Sequence, residues 1–271
     1  MKIGVDLGGT KIRVGVVEPG FGVRRMATES CLSNGSKTDV LGQIINMVDA
    51  FFDATVDGIG VGVPAIVDDE GVVYDCVNIP SWDRVELKAA LENRFGVPVK
   101  VNNDCNCFAL GVKASEIVKG LDDIVCITLG TGVGSGLILG GRLYTGHNCS
   151  AGEIGGIPYK DHDYEFYCSS RFFHDKGVSG KAAFESAKAG DPEALRLWDE
   201  FGANVGDLLS LIAFAYDPQA VVIGGSIASA FQYFEPAMHA QFSKFPYAKV
   251  AESLKVIPAS EDGWLIIGSV L

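Results

Sequence analysis

The sequence is short of positive charge. Its 22 lysines and arginines stand against 34 aspartates and glutamates, a formal net charge of −12 over 271 residues. An acidic surface repels phosphate backbones, which argues against a nucleic-acid partner. Long apolar runs are also missing: none approaches the ~20 residues that cross a bilayer, so no membrane partner is expected. The seven cysteines, at positions 31, 76, 105, 107, 126, 149 and 168, form no C-x-x-C and are odd in number. Most lie in apolar runs, so they read as reduced, semi-buried thiols rather than a disulfide framework. The four histidines, His147, His162, His174 and His239, show no ligand spacing with them. No Walker loop is present, nor a G-x-G-x-x-G following a strand. Met1-Lys2 leads straight into a strand pattern without a leader, which with the reduced thiols predicts a cytoplasmic protein.

What is present is apolar and rich in glycine. Hydrophobic residues make up 48% and charged ones 21%, which excludes a disordered chain. The length suits two domains of ordinary size. Two β-rich runs, Lys2 to Leu7 and Lys11 to Val17, flank Gly8-Gly9-Thr10. This reads as a tight hairpin, because paired glycines permit the positive φ that two-residue turns need. Asp6 stands directly before the turn among Ile3, Val5 and Leu7. A carboxylate there must be solvated or liganded, since burying it unpaired is costly. The glycines would let phosphates approach backbone N–H groups that a Cβ would shield. An ordinary hairpin with an edge aspartate is the alternative. The plan recurs at Ile127 to Leu139, where Thr128-Leu129-Gly130-Thr131-Gly132 lies over Asp6-Leu7-Gly8-Gly9-Thr10. Two such hairpins, one heading each half, predict a duplicated domain with a ligand gripped between the copies.

The order of elements fits that duplication. Gly22 to Cys31 reads as a third strand, Thr38 to Ala54 as a helix by its apolar spacing, and Asp57 to Pro64 as a buried strand. Strand, strand, strand, helix, strand is the order of one half of the actin-like (ribonuclease H-like) α/β fold. A hairpin over Ile66 to Tyr74, a helix from Val85 to Phe95, a strand at Val97 to Asn102 and a helix from Asp104 to Val118 complete the first half. The second half opens with Asp123 to Leu129, the glycine hairpin, and a strand near Arg142 to Tyr144. Gly152 to Lys176 reads as irregular. Helices follow at Gly180 to Lys188 and Pro192 to Tyr216. A strand over Ala220 to Ile227 then leads into a helix from about Ala228. Leu254 to Pro258 and a helix from Trp264 end the chain. The expected division is an N-terminal domain over 1–115 and a C-terminal one over 116–261, with a closing helix at 262–271 packing back on the first.

Candidate chemistry sits at the ends of these strands. Asp104 follows Asn102-Asn103 and opens a helix; it reads as an N-cap, as a carboxylate able to take a proton from a substrate hydroxyl, or as both. Glu153 is a lone acid among Gly152, Gly155 and Gly156, more crowded by glycine than an exposed loop acid requires. Glu165, between Tyr164 and Phe166, reads first as a surface acid at a helix start. Gly224-Gly225-Ser226 could pass close to a nucleotide's base and ribose, or be a plain strand–helix turn.

Together these motifs resemble the ROK family (repressors, open reading frames and kinases) over essentially the whole chain. Asp6-Leu7-Gly8-Gly9-Thr10-Lys11 is similar to the family's first phosphate motif, and Leu129 to Gly136, with Gly130, Thr131, Gly132 and Gly134, to its second. Val101 to Leu110, with Asn103-Asp104, is similar to its catalytic segment. Ala151-Gly152-Glu153-Ile154-Gly155 resembles its signature, and Val222 to Ile227, with Gly224, Gly225 and Ser226, its adenosine segment. The resemblance implies an ATP-dependent sugar kinase of two actin-like domains with a cleft between them. Asp104 would be the base toward the sugar's 6-OH, and Asn78, Asn103, Asp104, Glu153 and Glu165 would bind the sugar. The two hairpins would hold ATP, and Asp6 would sit near Mg²⁺. A homodimer is the habit of the family.

Two departures accompany the likeness. Gly156 stands where the family commonly has a histidine, and the stretch between Glu153 and Glu165 holds no cysteine where the family has a zinc knuckle. No structural zinc is therefore expected; Tyr159, Tyr164, Phe166 and Tyr167 would pack in its place. Glucose is the first-choice sugar, with N-acetylglucosamine, N-acetylmannosamine and fructose among the alternatives. A sugar-responsive regulator of the family, which carries an upstream helix-turn-helix, fits less well, because the chain starts at its first strand. A non-enzymatic actin-like ATP-binding protein would have no use for the set of sugar-facing acids.

Overall fold

The computed structural model describes residues 1–147, 149–259 and 263–271; positions 260–262, where the expected second domain ends and the closing helix begins, lie outside them. The chain divides into two compact units. The first holds Met1–Lys119, Leu143–Ala151 and the chain's end, and the second Gly120–Arg142 and the stretch from Gly152 onward.

In the first unit, β1 (Lys2–Leu7) and β2 (Lys11–Val17) form the expected antiparallel hairpin and β3 (Val23–Ser30) extends it. Helix α1 (Lys37–Asp49) starts in a reciprocal capping box between Ser36 and Asp39. The strand β4 (Gly58–Val63) pairs in parallel with β1. Both are buried on both faces apart from Lys2, which is why they read as continuous apolar runs. A small meander follows, β5 (Ile66–Val67), β6 (Val73–Tyr74) and β7 (Arg84–Val85). Helix α2 (Leu87–Phe95) stops at Gly96, whose φ of 68° supplies the left-handed C-terminus. Then β8 (Val99–Asn103) pairs with β4 and leads into α3 (Asp104–Lys113). The sheet order is β3-β2-β1-β4-β8.

A second sheet repeats this topology. Its hairpin is β9 (Ile124–Leu129) and β10 (Val133–Leu139), with β11 (Arg142–Tyr144) next. A 3₁₀ turn at Ile154–Gly156, β12 (Pro158–Tyr159), β13 (His162–Asp163), α4 (Tyr164–Cys168) and α5 (Ser170–Asp175) follow. After α6 (Gly180–Lys188), the long α7 (Pro192–Tyr216) is capped by Asp191 with proline at its first position. Next come β14 (Ala220–Gly224), a 3₁₀ turn at Ser226–Ala230, α8 (Phe231–Phe242), α9 (Ala248–Ser253) and β15 (Lys255–Pro258). The order β11-β10-β9-β14-β15 matches the first sheet strand for strand. The last helix, α10 (Trp264–Ser269), belongs to the first unit and packs on α3 and β1.

That packing explains two glycines of the first unit. A Cβ on Gly111 would lie 1.9 Å from the Trp264 carbonyl, and one on Gly60 2.0 Å from that of Ser269. The backbones of α3 and β4 therefore approach α10 too closely for any side chain.

Other expectations need correction. Residues 152–176 are not irregular: they fold into a 3₁₀ turn, a two-residue-per-strand hairpin and two short helices, each too brief to show a period. The helix expected to reach Val118 ends at Lys113, and Glu116–Val118 form a separate 3₁₀ turn. The strand expected to run to Ile227 stops at Gly224. Val85, expected to open a helix, is strand, and that helix starts at Leu87. Gly8 and Gly9 do not have positive φ. The turn is three residues long, closed by Gly8 N–H to the Lys11 carbonyl at 2.9 Å. Gly9 is needed for closeness instead, since a Cβ there would sit 2.5 Å from Asn78 Cβ.

Candidate active site

In the first unit, strand register gathers the candidates. Asp6 of β1 stands opposite Gly62 of β4, and Gly62 opposite Asn102 of β8, at the carboxyl ends of three adjacent parallel strands. Carboxyl ends of strands are where open α/β sheets bind ligands. Asp6 is buried at 8% exposure. It is buried and paired rather than solvated. Across the hairpin it faces Arg13, whose Nε and Nη2 reach Asp6 Oδ2 at 2.7 and 2.6 Å. Burial still pushes its pKa up, Arg13 notwithstanding. Oδ1 takes no hydrogen bond from the described residues.

Asn103, rather than Asp104, caps α3. Its Oδ1 accepts from the N–H groups of Cys105 at 2.8 Å and Asn106 at 3.2 Å, and its Nδ2 donates to the Ala65 carbonyl at 3.3 Å. Asn102 Oδ1 accepts from the Asn103 N–H and from Asn106 Nδ2, bracing the strand-to-helix turn. Asp104 becomes the first helical residue, half-buried, with Oδ1 accepting the Cys105 N–H at 2.8 Å. A helix N-terminus favours the ionised carboxylate there. Burial raises the Cys107 thiol pKa, and the charges of Asp104 and Asp6 raise it further, so both carboxylates act on the same buried group.

At the first hairpin, only Gly8 spends its N–H within the turn; those of Gly9 and Thr10 donate to nothing among the described residues. The exposed Asn78 packs against Gly9, and Lys11 is exposed at the start of β2.

The second unit assembles the rest. At its hairpin, Gly130 N–H donates to the Gly132 carbonyl at 3.0 Å, and again two consecutive N–H groups, Thr131 and Gly132, donate to nothing among the described residues. Gly134 lies within β10 opposite Thr128. The Gly224-Gly225-Ser226 turn packs on this hairpin. Gly225 has a φ of 85° and a Cβ there would lie 2.4 Å from the Leu129 carbonyl, while one on Gly130 would lie 3.5 Å from Ser226 Oγ.

Glu165, in the first turn of α4, reaches the same hairpin. Oε2 accepts the Val133 N–H at 3.2 Å, and Oε1 pairs with Arg171 Nη2 at 2.8 Å. The Ser170 N–H adds a bond to the Gly130 carbonyl at 2.8 Å. Glu153 precedes the 3₁₀ turn and its side chain reaches the surface; the surrounding protein still desolvates it enough to raise its pKa, and the like charge of Glu165 adds to the rise. Gly152 has a φ of 97° and sits against Ser135, whose hydroxyl donates to the Gly152 carbonyl at 2.6 Å. A Cβ on Gly156 would meet nothing within 4 Å.

Around Glu165 the aromatic side chains pack on one another. The rings of Tyr159 and Tyr164 stack at 4.3 Å, and Phe166 and Tyr167 meet edge to face at 5.0 Å. No group of three potential metal ligands occurs among the described residues, and none of the described helices is long and apolar enough to cross a membrane.

Sequence reasoning missed Arg13, Arg171 and Asp207, the last of which accepts the Tyr159 hydroxyl from α7. Arg13 had a signal: it lies in the run that the hairpin sets beside the strand of Asp6. Arg171 and Asp207 had none, because their partners come from other elements.

Two units of identical strand order, each headed by a glycine hairpin, define a duplicated actin-like fold. The ROK family profile matches residues 2–263, and the chain belongs to that family. A glucokinase of Thermotoga maritima is 30% identical over 261 residues, covering 84% of this chain and 82% of that one. An N-acetyl-D-glucosamine kinase of Vibrio parahaemolyticus is 29% identical over 290 residues, covering 96% and 94%. A solved ROK family glucokinase from Streptomyces griseus, in complex with glucose and AMPPNP, superposes with a TM-score of 0.82 at 26% identity over 99% of this chain and 97% of that one.

Proposed function

We propose that the chain is an ATP-dependent kinase that phosphorylates a hexose hydroxyl, with glucose the first substrate to test and the 6-OH the acceptor. The observation that carries this reading is the pair of hairpins, each with two consecutive unspent N–H groups beside a further site element: Asp6 in one unit, the Gly225-Ser226 turn in the other. Such amide pairs suit phosphate oxygens. Relatives named glucokinase and N-acetyl-D-glucosamine kinase support the sugar as substrate class.

In this reading Asp104 takes the proton as the sugar oxygen bonds to the γ-phosphorus and the bond to ADP breaks. Phosphoryl transfer through a loose transition state needs positioning and charge neutralisation more than a strong base, so an ionised aspartate at a helix N-terminus suffices. Asn78, Asn103, Glu153 and Glu165 would hold the remaining hydroxyls. Asp6 fits a nucleotide-borne Mg²⁺, because Oδ1 is uncommitted and Mg²⁺ takes one or two carboxylates besides phosphates. That ion would neutralise charge on the transferring phosphate.

A coupled assay for ADP, run over glucose, mannose, fructose, N-acetylglucosamine and N-acetylmannosamine, tests the proposal. One sugar should dominate in kcat/KM, and phosphate should appear on it. ADP release that no sugar stimulates would reject the reading.

A further inference from the structure

The segment between the two glutamates has no core of its own. A hairpin with two residues in each strand and a five-residue helix are each marginal alone. Something outside must hold them, and the contacts converge on one carboxylate of α7.

Tyr159 Oη donates to Asp207 Oδ2 at 2.5 Å, and Gln241 Nε2 of α8 donates to Asp207 Oδ1 at 2.7 Å. Tyr164 Oη donates to the Asp207 backbone carbonyl at 3.4 Å. The stacked rings of Tyr159 and Tyr164, inclined by 11°, carry both phenols to the same residue. One turn further along α7's N-terminal side, Asn204 Oδ1 accepts from Lys160 Nζ at 2.6 Å. The links onward are covalent or backbone. Tyr164 immediately precedes Glu165, and its N–H donates to the Ile157 carbonyl at 3.1 Å. Ile157 N–H in turn donates to the carbonyl of Ile154, the neighbour of Glu153, at 3.3 Å.

We infer that Asp207 is a positioning residue for the acid pair Glu153–Glu165, acting through the phenols of Tyr159 and Tyr164. The inference rests on reading those glutamates as sugar-binding groups. Asp207 touches neither of them. It holds the segment that carries them at two points: its carboxylate accepts a charge-assisted bond from Tyr159, more directional than ring packing alone, and its backbone carbonyl accepts from Tyr164, while Gln241 steadies the same carboxylate from α8. Burial and Asp207 together push the Tyr159 phenol's pKa upward, so it stays a donor throughout the physiological range.

Two conservative variants separate this from generic packing. Tyr159→Phe keeps the stacked ring and removes only the hydroxyl; Asp207→Asn keeps the shape and removes the charge. Each should raise the KM for the best sugar roughly tenfold, with kcat and the ATP KM within about twofold of wild type, and the double variant should be no worse than the worse single one, because both cut one link. Equal losses in kcat and in both KM values, or an unchanged sugar KM beside a lowered Tm, would overturn the inference. Amide exchange over residues 154–166, measured without sugar, gives a readout that does not depend on turnover. Faster exchange in both variants supports the anchor even if the wild-type chain phosphorylates no hexose, the outcome that would reject the kinase reading alone. Unchanged exchange overturns the anchor whatever the kinetics.

Discussion

The Arg171 guanidinium lies 2.8 Å from Glu165 Oε1, while the other oxygen of that carboxylate accepts the Val133 N–H at 3.2 Å. Glu165 therefore joins α4 and α5 to the second glycine hairpin. A residue expected to serve the sugar is also built into the element expected to serve ATP.

Substitution of the two glutamates should consequently split. Hydrogen bonds to charged groups are worth ~1.5–3 kcal/mol, so Glu153→Gln and Glu165→Gln should each raise the sugar KM by roughly 10- to 100-fold. Glu165→Gln should raise the ATP KM as well, because it weakens the contact at Val133; Glu153→Gln should not. Steady-state kinetics with each substrate varied in turn checks this. Identical effects of the two variants on ATP would contradict it.

The stability of the chain should depend on Glu153 in a defined direction. Desolvation first, and then the charge of Glu165, hold its folded pKa above the ordinary value of 4.5. Between 4.5 and the folded value, the native state binds more protons than the unfolded one. Stability contributed by this residue is thus present below 4.5 and falls as pH rises through that window. Removing the titration with Glu153→Gln should make the variant's Tm gain on the wild type as pH is raised from about 4 to about 7. Parallel Tm curves over that range would show that the residue titrates normally.

Two glycines should respond differently. Gly225→Ala forces a side chain into a φ of 85° and onto the Leu129 carbonyl at 2.4 Å. Strain of this kind costs about 1–3 kcal/mol, and each kcal/mol lowers Tm by roughly 2–4 °C in chains of about this size. Gly156→His enters open space at ordinary φ and should leave Tm within about 2 °C, as surface substitutions do. Calorimetry on both variants decides; a destabilised Gly156→His would mean that the turn cannot accept the histidine common in the family.

The sheets were legible because their signals are long. β1 and β4 carry continuous apolar runs, α7 has a proline at its start, and the glycine hairpins repeat. What escaped notice depends on partners distant in sequence. The sequence left open what balances the charge of Asp6; the register puts Arg13 across from it. The capping role went to Asn103 because the backbone of β8 runs one residue further than its apolar pattern. Residues 152–176 looked irregular because elements of two to six residues are held by α7, not by their own periodicity. For the site, the residue types were readable, but Arg171 and Asp207, which fix Glu165 and its loop, carry no local mark.

The aromatic loop should do without metal. Tyr159, Tyr164, Phe166 and Tyr167 pack on one another, and burying such rings hides ~150–250 Å² each. Elemental analysis of the purified chain should find no stoichiometric zinc, and a chelator should leave Tm unchanged. About one zinc per chain, or a Tm that falls with chelation, would refute this.

The most direct test of the kinase assignment is the kcat of Asp104→Asn on the best sugar, measured on protein whose Tm matches wild type. Asparagine can still accept the Cys105 N–H that Asp104 Oδ1 accepts at 2.8 Å, so the start of α3 should survive. It cannot take a hydroxyl proton, and loss of a general base typically slows turnover ~10²–10⁴-fold. A fall of that size with an intact fold is the predicted result. A variant that turns over its sugar at nearly the wild-type rate would contradict the assignment of Asp104 and the mechanism built on it.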